Sequence, residues 1–232
     1  MTKEQLKLEL NNLGVSCDID KLEELMAFTL AANEKFNLTA IKDEDKFREL
    51  MILDSLVPCS LLEDLSDKTI LDIGTGAGFP GLPIALANPT AKLTLLDSTK
   101  KKIDHINGYT SSHNINNVVA IHGRAEELIT NKRESFDYVI ARAVSSLNIL
   151  LEICLPFVKV GGTFIAMKGA KANEEIEQSK RALALLGAEI VSINKYVLPI
   201  SGEVRYNVLI KKTKQTNKKY PREYKDIVNK PL

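Results

Sequence analysis

The sequence predicts an α/β protein with a mainly parallel sheet, an antiparallel C-terminal hairpin and an N-terminal helical extension. Three observations predict it. From Thr69 onward, short β-rich runs alternate with stretches of helical periodicity, the pattern of parallel strands joined by crossover helices. The last two β-rich runs are separated by a turn segment containing Pro199-Ile-Ser-Gly202, too short for a crossover helix, so they pair antiparallel. Before about residue 65 the apolar spacing is helical only.

In chain order, Leu6, Leu10 and Leu13 lie at helical spacing, as do Leu22, Leu25, Met26, Thr29, Ala32 and Phe36. Asp18, Asp20, Glu23 and Glu24 crowd the start of the second helix, where the macrodipole favours acids. A third helical run covers about 43–57, and Pro58 stops or bends it. Strands are expected at Thr69–Ile73, Lys92–Leu96, Val118–His122, Phe136–Ala141 and Gly162–Lys168. Helices are expected at about Gly81–Ala87, Lys100–Asn114, Ala125–Thr130, Leu147–Phe157 and Asn173–Leu186. Glu189–Val197 and Arg205–Lys211 form the hairpin. Three segments follow: a helical extension (1–65), a nucleotide-binding domain (66–212) and a basic tail without periodicity (213–232).

Composition is that of a globular domain: 232 residues, 44% hydrophobic and 26% charged. The net charge of +1 conceals an asymmetry. Residues 1–65 hold 7 Lys/Arg against 14 Asp/Glu, and residues 205–232 hold 9 against 2. A basic end suits a polyanion partner or is simply solvated. Cys17, Cys59 and Cys154 lack metal or disulfide spacing and read as small buried hydrophobes in a reducing compartment. His105, His113 and His122 have no ligand spacing either, so no metal is expected. No apolar run reaches membrane-spanning length, and the N-terminus has no signal-like core; a cytoplasmic monomer is expected, with no membrane partner.

The chemistry concentrates at Asp72-Ile-Gly74-Thr-Gly76-Ala-Gly78-Phe79-Pro-Gly81, which joins a strand to a helix at the nucleotide-binding edge of such a sheet. Gly76–Gly81 matches GxGxxG, so a dinucleotide oxidoreductase is one reading. The wider order favours S-adenosyl-L-methionine. Asp72, two residues before the first glycine, can reach a cationic amine through water or backbone. Gly74, Gly76 and Gly78 let backbone approach a methionine moiety. Asp97 ends the second strand, placed for ribose hydroxyls, though this fits NAD equally. Gly123-Arg124-Ala125-Glu126 follows the third strand, and the hairpin is typical of class I (Rossmann-like) methyltransferases.

The acceptor loop begins Arg142-Ala-Val-Ser-Ser146. It lacks the Asn/Asp-Pro-Pro-aromatic pattern of exocyclic-amine enzymes, and Cys154 sits in an apolar run rather than as a nucleophile. An acceptor needing no deprotonation, such as guanine N7, is compatible with Arg142 and Lys168 as orienting groups. Another RNA, a protein or a small molecule remains an alternative acceptor, and a non-catalytic RNA-associated module an alternative class.

Asn37-Leu-Thr-Ala-Ile41, Leu53-Asp-Ser-Leu56, the glycine stretch, Leu96-Asp97-Ser98, Gly123–Glu126, Arg142-Ala-Val144 and Lys219-Tyr-Pro-Arg222 occur in one order. Together they resemble the bacterial 16S ribosomal RNA guanine-N7 methyltransferase family, also called the glucose-inhibited division protein B family. The resemblance spans nearly the whole chain. It implies action on a guanine in the 530-loop region of 16S RNA, free or in the small subunit, and cofactor contacts at Gly74, Phe79, Ala125, Glu126 and Arg142. Asp97 and Ser98 complete the cofactor set. Phe79 is expected to wall the adenosine pocket. Arg124, Lys218, Lys219 and Arg222, with Tyr220 among them, suit RNA phosphates and a stacked base. Two places depart from the family: Leu50-Met51 replace its usual Arg-His, and residues 222–229 lack its usual glycine and proline.

Overall fold

The computed structural model describes residues 1–142 and 145–232. Among these, seven strands form one sheet in the order β3-β2-β1-β4-β5-β7-β6. The strands are β1 (Thr69–Ile73), β2 (Lys92–Asp97), β3 (Val118–His122), β4 (Phe136–Arg142), β5 (Val158–Lys168), β6 (Ala188–Val197) and β7 (Val204–Lys212). The first five are parallel, while β7 runs antiparallel to β5 and to β6. Strand order reverses between β1 and β4, which opens a crevice at their C-terminal ends.

Alternation along the strands splits the core into two faces. Ile70, Leu93, Leu95 and Ile140 face α1 (Lys3–Asn12), α2 (Ile19–Phe36), α5 (Gly81–Ala87) and α6 (Lys100–Ser112). Leu71, Ile73, Val139 and Phe164 face α7 (Ala125–Lys132), α8 (Leu147–Cys154), α9 (Ala172–Gln178), α10 (Lys180–Leu186) and α11 (Tyr224–Asn229). Leu6, Leu10, Leu22 and Leu25 from the N-terminal helices belong to the first of these cores, so those helices share the sheet's own interior. Cys154 is buried in the second, as its apolar neighbours predict.

Four expectations change in detail. The third helical run is composite: α3 (Glu44–Phe47), a π segment (Arg48–Leu53), α4 (Asp54–Leu56) and a 3-10 turn (Val57–Leu61). Pro58 does not stop it; the run changes there to the 3-10 turn, with the proline within its first two positions. The helix expected over Asn173–Leu186 is two helices broken at Ser179, whose hydroxyl donates to the Glu175 carbonyl. β5 starts at Val158 because that residue pairs with Phe136 before a register shift. The segment after β7 is docked: Thr216, Tyr220 and Ile227 are buried, and α11 was not foreseen.

Gly81 is the tightest junction between sheet and helix. A Cβ there would meet Leu95 Cδ2 at 2.1 Å and Asp72 Oδ2 at 2.9 Å. Gly81→Ala is therefore expected to destabilise the protein by about 1–3 kcal/mol through overpacking. Gly169→Ala, where no atom lies within 4 Å, is expected to be close to neutral. Urea unfolding midpoints check both.

Candidate functional site: two cavities sharing a glycine turn

β1 ends at Ile73 and the chain turns at once, with Gly74 and Gly76 at φ 73° and 62°, a region side chains disfavour. Two carboxylates hold the turn. Asp72 Oδ2 accepts from the Thr75 hydroxyl at 2.6 Å and the Gly81 N–H at 2.9 Å. Asp97 Oδ2 accepts from the Gly76 N–H at 2.9 Å, and its Oδ1 from the Thr99 N–H at 2.8 Å. The Lys102 ammonium lies 3.5 Å from Asp97 Oδ2.

Two cavities open at the C-terminal ends of the strands and share Gly74. The first, about 410 Å³, is bordered by Asp97, Ser98, Arg124, Ala125, Glu126, Ile153 and Tyr224. The second, about 550 Å³, is bordered by Leu38, Leu50, Met51, Gly76, Phe79, Arg142, Lys168 and Arg205.

The sequence-predicted residues divide between them, with exceptions. Asp72 borders neither cavity: it is fully buried and closes the turn from behind, so it does not reach toward a ligand amine. Gly78 also borders neither; a Cβ there would meet Leu82 Cδ1 at 2.4 Å, so this glycine serves helix packing rather than ligand approach. Phe79 lies in the second cavity, edge-on to Phe47 at 5.4 Å between centroids, and not beside Asp97. Arg142 and Lys168 do meet in the second cavity, but both are paired. Arg142 donates to Asp54 Oδ2 and to the Leu50 carbonyl, each at 3.1 Å. Lys168 donates to the Ser145 carbonyl at 2.6 Å and lies 2.7 Å from Glu175 Oε2. Ala143 and Val144 of the expected acceptor loop lie outside the described residues.

Of the cations expected to meet RNA, Lys218 and Lys219 are exposed, with the Lys219 ammonium 5.1 Å over the Tyr220 ring. Arg124 lies at the first cavity's edge. Arg222 is engaged elsewhere. Its guanidinium donates to both oxygens of Glu152, at 2.8 and 2.6 Å, and that carboxylate is fully buried. Withdrawing Arg222 to a phosphate would strand a buried anion.

Sequence reasoning missed Asp54, Arg205, Tyr196 and Tyr224. Asp54 accepts from the Tyr196 hydroxyl at 2.7 Å and lies 3.6 Å from Arg205 Nε. These partners are more than 140 residues apart in the chain, so no local pattern reveals them. Among the described residues no group of three His, Cys, Asp or Glu side chains could hold a metal, and no helix is long and apolar enough to cross a membrane.

The site fits a nucleoside carrying a charged tail. A carboxylate offers about four lone-pair positions, and Asp97 retains acceptor capacity toward a diol beyond its two backbone bonds. No atom lies within 4 Å of where a Gly76 Cβ would stand, which leaves the turn's backbone open. This sheet order, with a glycine turn after β1 and an acid ending β2, defines a class I, S-adenosyl-L-methionine-dependent methyltransferase. The crystal structure of M. jannaschii TYW2 in complex with AdoMet shares the fold, with a TM-score of 0.54 at 15% identity over 65% of this chain and 71% of that one. The chain belongs to the GidB family, described as rRNA small subunit methyltransferase G, which matches residues 18–201. The ribosomal RNA small subunit methyltransferase G of Alkaliphilus metalliredigens is 42% identical over 98% of this chain and 97% of the relative. That of Acetivibrio thermocellus is 40% identical over the full length of both.

Burial pushes the Asp72 carboxyl up to about 6 from its ordinary 3.8, against the pull of Thr75 and Gly81. The fold thus favours protonated Asp72. That contribution is fully present below about pH 4 and is lost as pH rises through about 6. Asp72→Asn keeps an acceptor for Thr75 and Gly81 without the titration. It is expected to flatten the fall in urea midpoint across this window.

Proposed function

We propose that this protein transfers the methyl group of S-adenosyl-L-methionine to N7 of a guanine in the 530-loop region of 16S ribosomal RNA, acting in the cytoplasm as a monomer on the RNA or the small subunit. The observation that carries the acceptor is the state of the acids in the second cavity. Both carboxylates bordering it are paired with cations: Asp54 with Arg142 and Arg205, and Glu203 with Arg205 at 2.7 Å. Among the described residues this cavity therefore supplies no uncommitted base. Guanine N7 needs none, because its lone pair lies in the ring plane and carries no proton.

Bound S-adenosyl-L-methionine supplies an electrophilic methyl group on a sulfonium. The chain's own residues position and enclose. In this reading Asp97 accepts from the ribose hydroxyls, and Ser98, Ala125 and Glu126 border the nucleoside. Gly74 lies at the junction of the two cavities. Leu38, Leu50, Met51 and Phe79 give the second cavity apolar surface on which a planar base can lie. Arg142 and Lys168 act through the walls they hold rather than as free charges. Arg124, Lys218 and Lys219 meet phosphates.

The test is methyl transfer to small subunits, and to naked 16S RNA, from cells lacking this activity, followed by chain cleavage at N7-methylguanine. Cleavage is expected at one guanine in the 530-loop region. Methylation elsewhere, or none, overturns the assignment. Asp97→Ala removes a charged acceptor and loosens the Gly76 N–H. It is expected to weaken S-adenosylhomocysteine binding by about 10–100-fold in calorimetry.

A further inference from the structure

The first cavity is completed by the C-terminal segment. Tyr224, the first residue of α11, borders it together with Asp97, Ser98 and Ala125, and is the only aromatic residue that does so among the described residues. Its ring is partly exposed, and the Arg124 guanidinium stands 5.8 Å over its centroid. The position is fixed from both sides. On one side Arg222 is held by Glu152 through its guanidinium and through its backbone N–H at 3.0 Å. On the other, Ile227 of α11 is buried in the α8 face of the core. Ile153, next to Glu152, itself borders the cavity. The same turn of α8 thus anchors the segment and lines the site.

We propose that Tyr224 is the aromatic wall of the adenine site, against which the purine packs. The inference rests on the reading of this cavity as the nucleoside site, and it assigns the docked terminal segment to cofactor binding. A ring held in place by a cation and a buried anchor offers a purine a face without ordering a loop first. Arg124 supports the ring and leaves Asp97 to the ribose.

The chain has no Trp and six Tyr, so tyrosine emission is readable directly. Titration with S-adenosylhomocysteine, and separately with adenosine, gives affinity by calorimetry and quenching by fluorescence. Tyr224→Ala is expected to weaken both ligands by roughly tenfold, the scale of one lost base–aromatic stack, and to remove part of the quenching. Tyr224→Phe, which keeps the ring, is expected to bind as the wild type does. Tyr224→Leu, which keeps apolar bulk for packing, is expected to fall between them, with an unchanged melting temperature. Wild-type affinity in the Ala and Leu variants overturns the role of Tyr224 while leaving the cofactor reading intact. Failure of the wild type to bind either ligand overturns the cofactor reading itself.

Discussion

The glycine turn strung between Asp72 and Asp97 sets the geometry on which both cavities depend. One acid lies at the core of β1, the other at the end of β2, and they grip the turn from behind and from its open side. A loop with left-handed glycines is costly to order, and three hydrogen bonds from it to these two carboxylates help order it, while the Thr99 N–H steadies Asp97. The two acids are not equivalent. Asp72 is sealed, with Oδ1 lacking a partner among the described atoms, and its carboxyl is pushed toward the neutral form. Asp97 keeps its face to the first cavity. One acid builds the turn, and the other both builds it and faces the ligand space.

The opposite charge imbalances of the chain's two ends are partly explained by pairs that cross the fold. Asp54 of the acidic N-terminal region faces Arg142 and Arg205. Glu49, also buried, accepts from the backbone N–H groups of Ile200 and Ser201 in the β6–β7 turn. Lys212 reaches Glu134 at 3.2 Å while fully buried, and Arg222 holds Glu152. Three of the basic residues after position 204 are therefore internal counter-charges. The net excess left for a polyanion is smaller than the count suggests, and it sits on residues such as Lys218 and Lys219.

The sheet was legible because its evidence is local: apolar runs of strand length, turn residues between them, and an acid or glycine at the ends of β1, β2, β3 and β5. The glycine turn was legible for the same reason. The roles inside it were not. Gly74, Gly76 and Gly78 look alike in sequence, yet only the first two border a cavity, because Gly78 faces Leu82 after the helix begins. Phe79 follows them by one residue and turns to Phe47, a partner contributed by the N-terminal helices. Asp54 lay within a recognised motif without an assigned role, since its partners belong to β4, β6 and β7. The terminal segment read as a tail because one buried isoleucine and one buried tyrosine make no periodic pattern. Its polar anchors are long-range: Arg222 to Glu152, the Thr216 N–H to Glu134, and the Arg133 guanidinium to the Tyr220 carbonyl.

The two ends of the chain thus converge on different halves of one site. The N-terminal region contributes Leu38, Leu50, Met51 and Asp54 to the second cavity, and the C-terminal segment contributes Tyr224 to the first. The sheet between them supplies the shared turn and the two acids. A fold used by many enzymes leaves the reaction to what is grafted on its strand ends. Here the second cavity is held by a cluster around the buried Asp54, which pairs with Arg142, Arg205 and Tyr196. The cluster ties wall position to ion pairing: Asp54 cannot leave without exposing two cations, and Arg142 cannot turn to a phosphate without stranding Asp54. The second cavity's wall is therefore shaped by paired charges rather than lined by free ones.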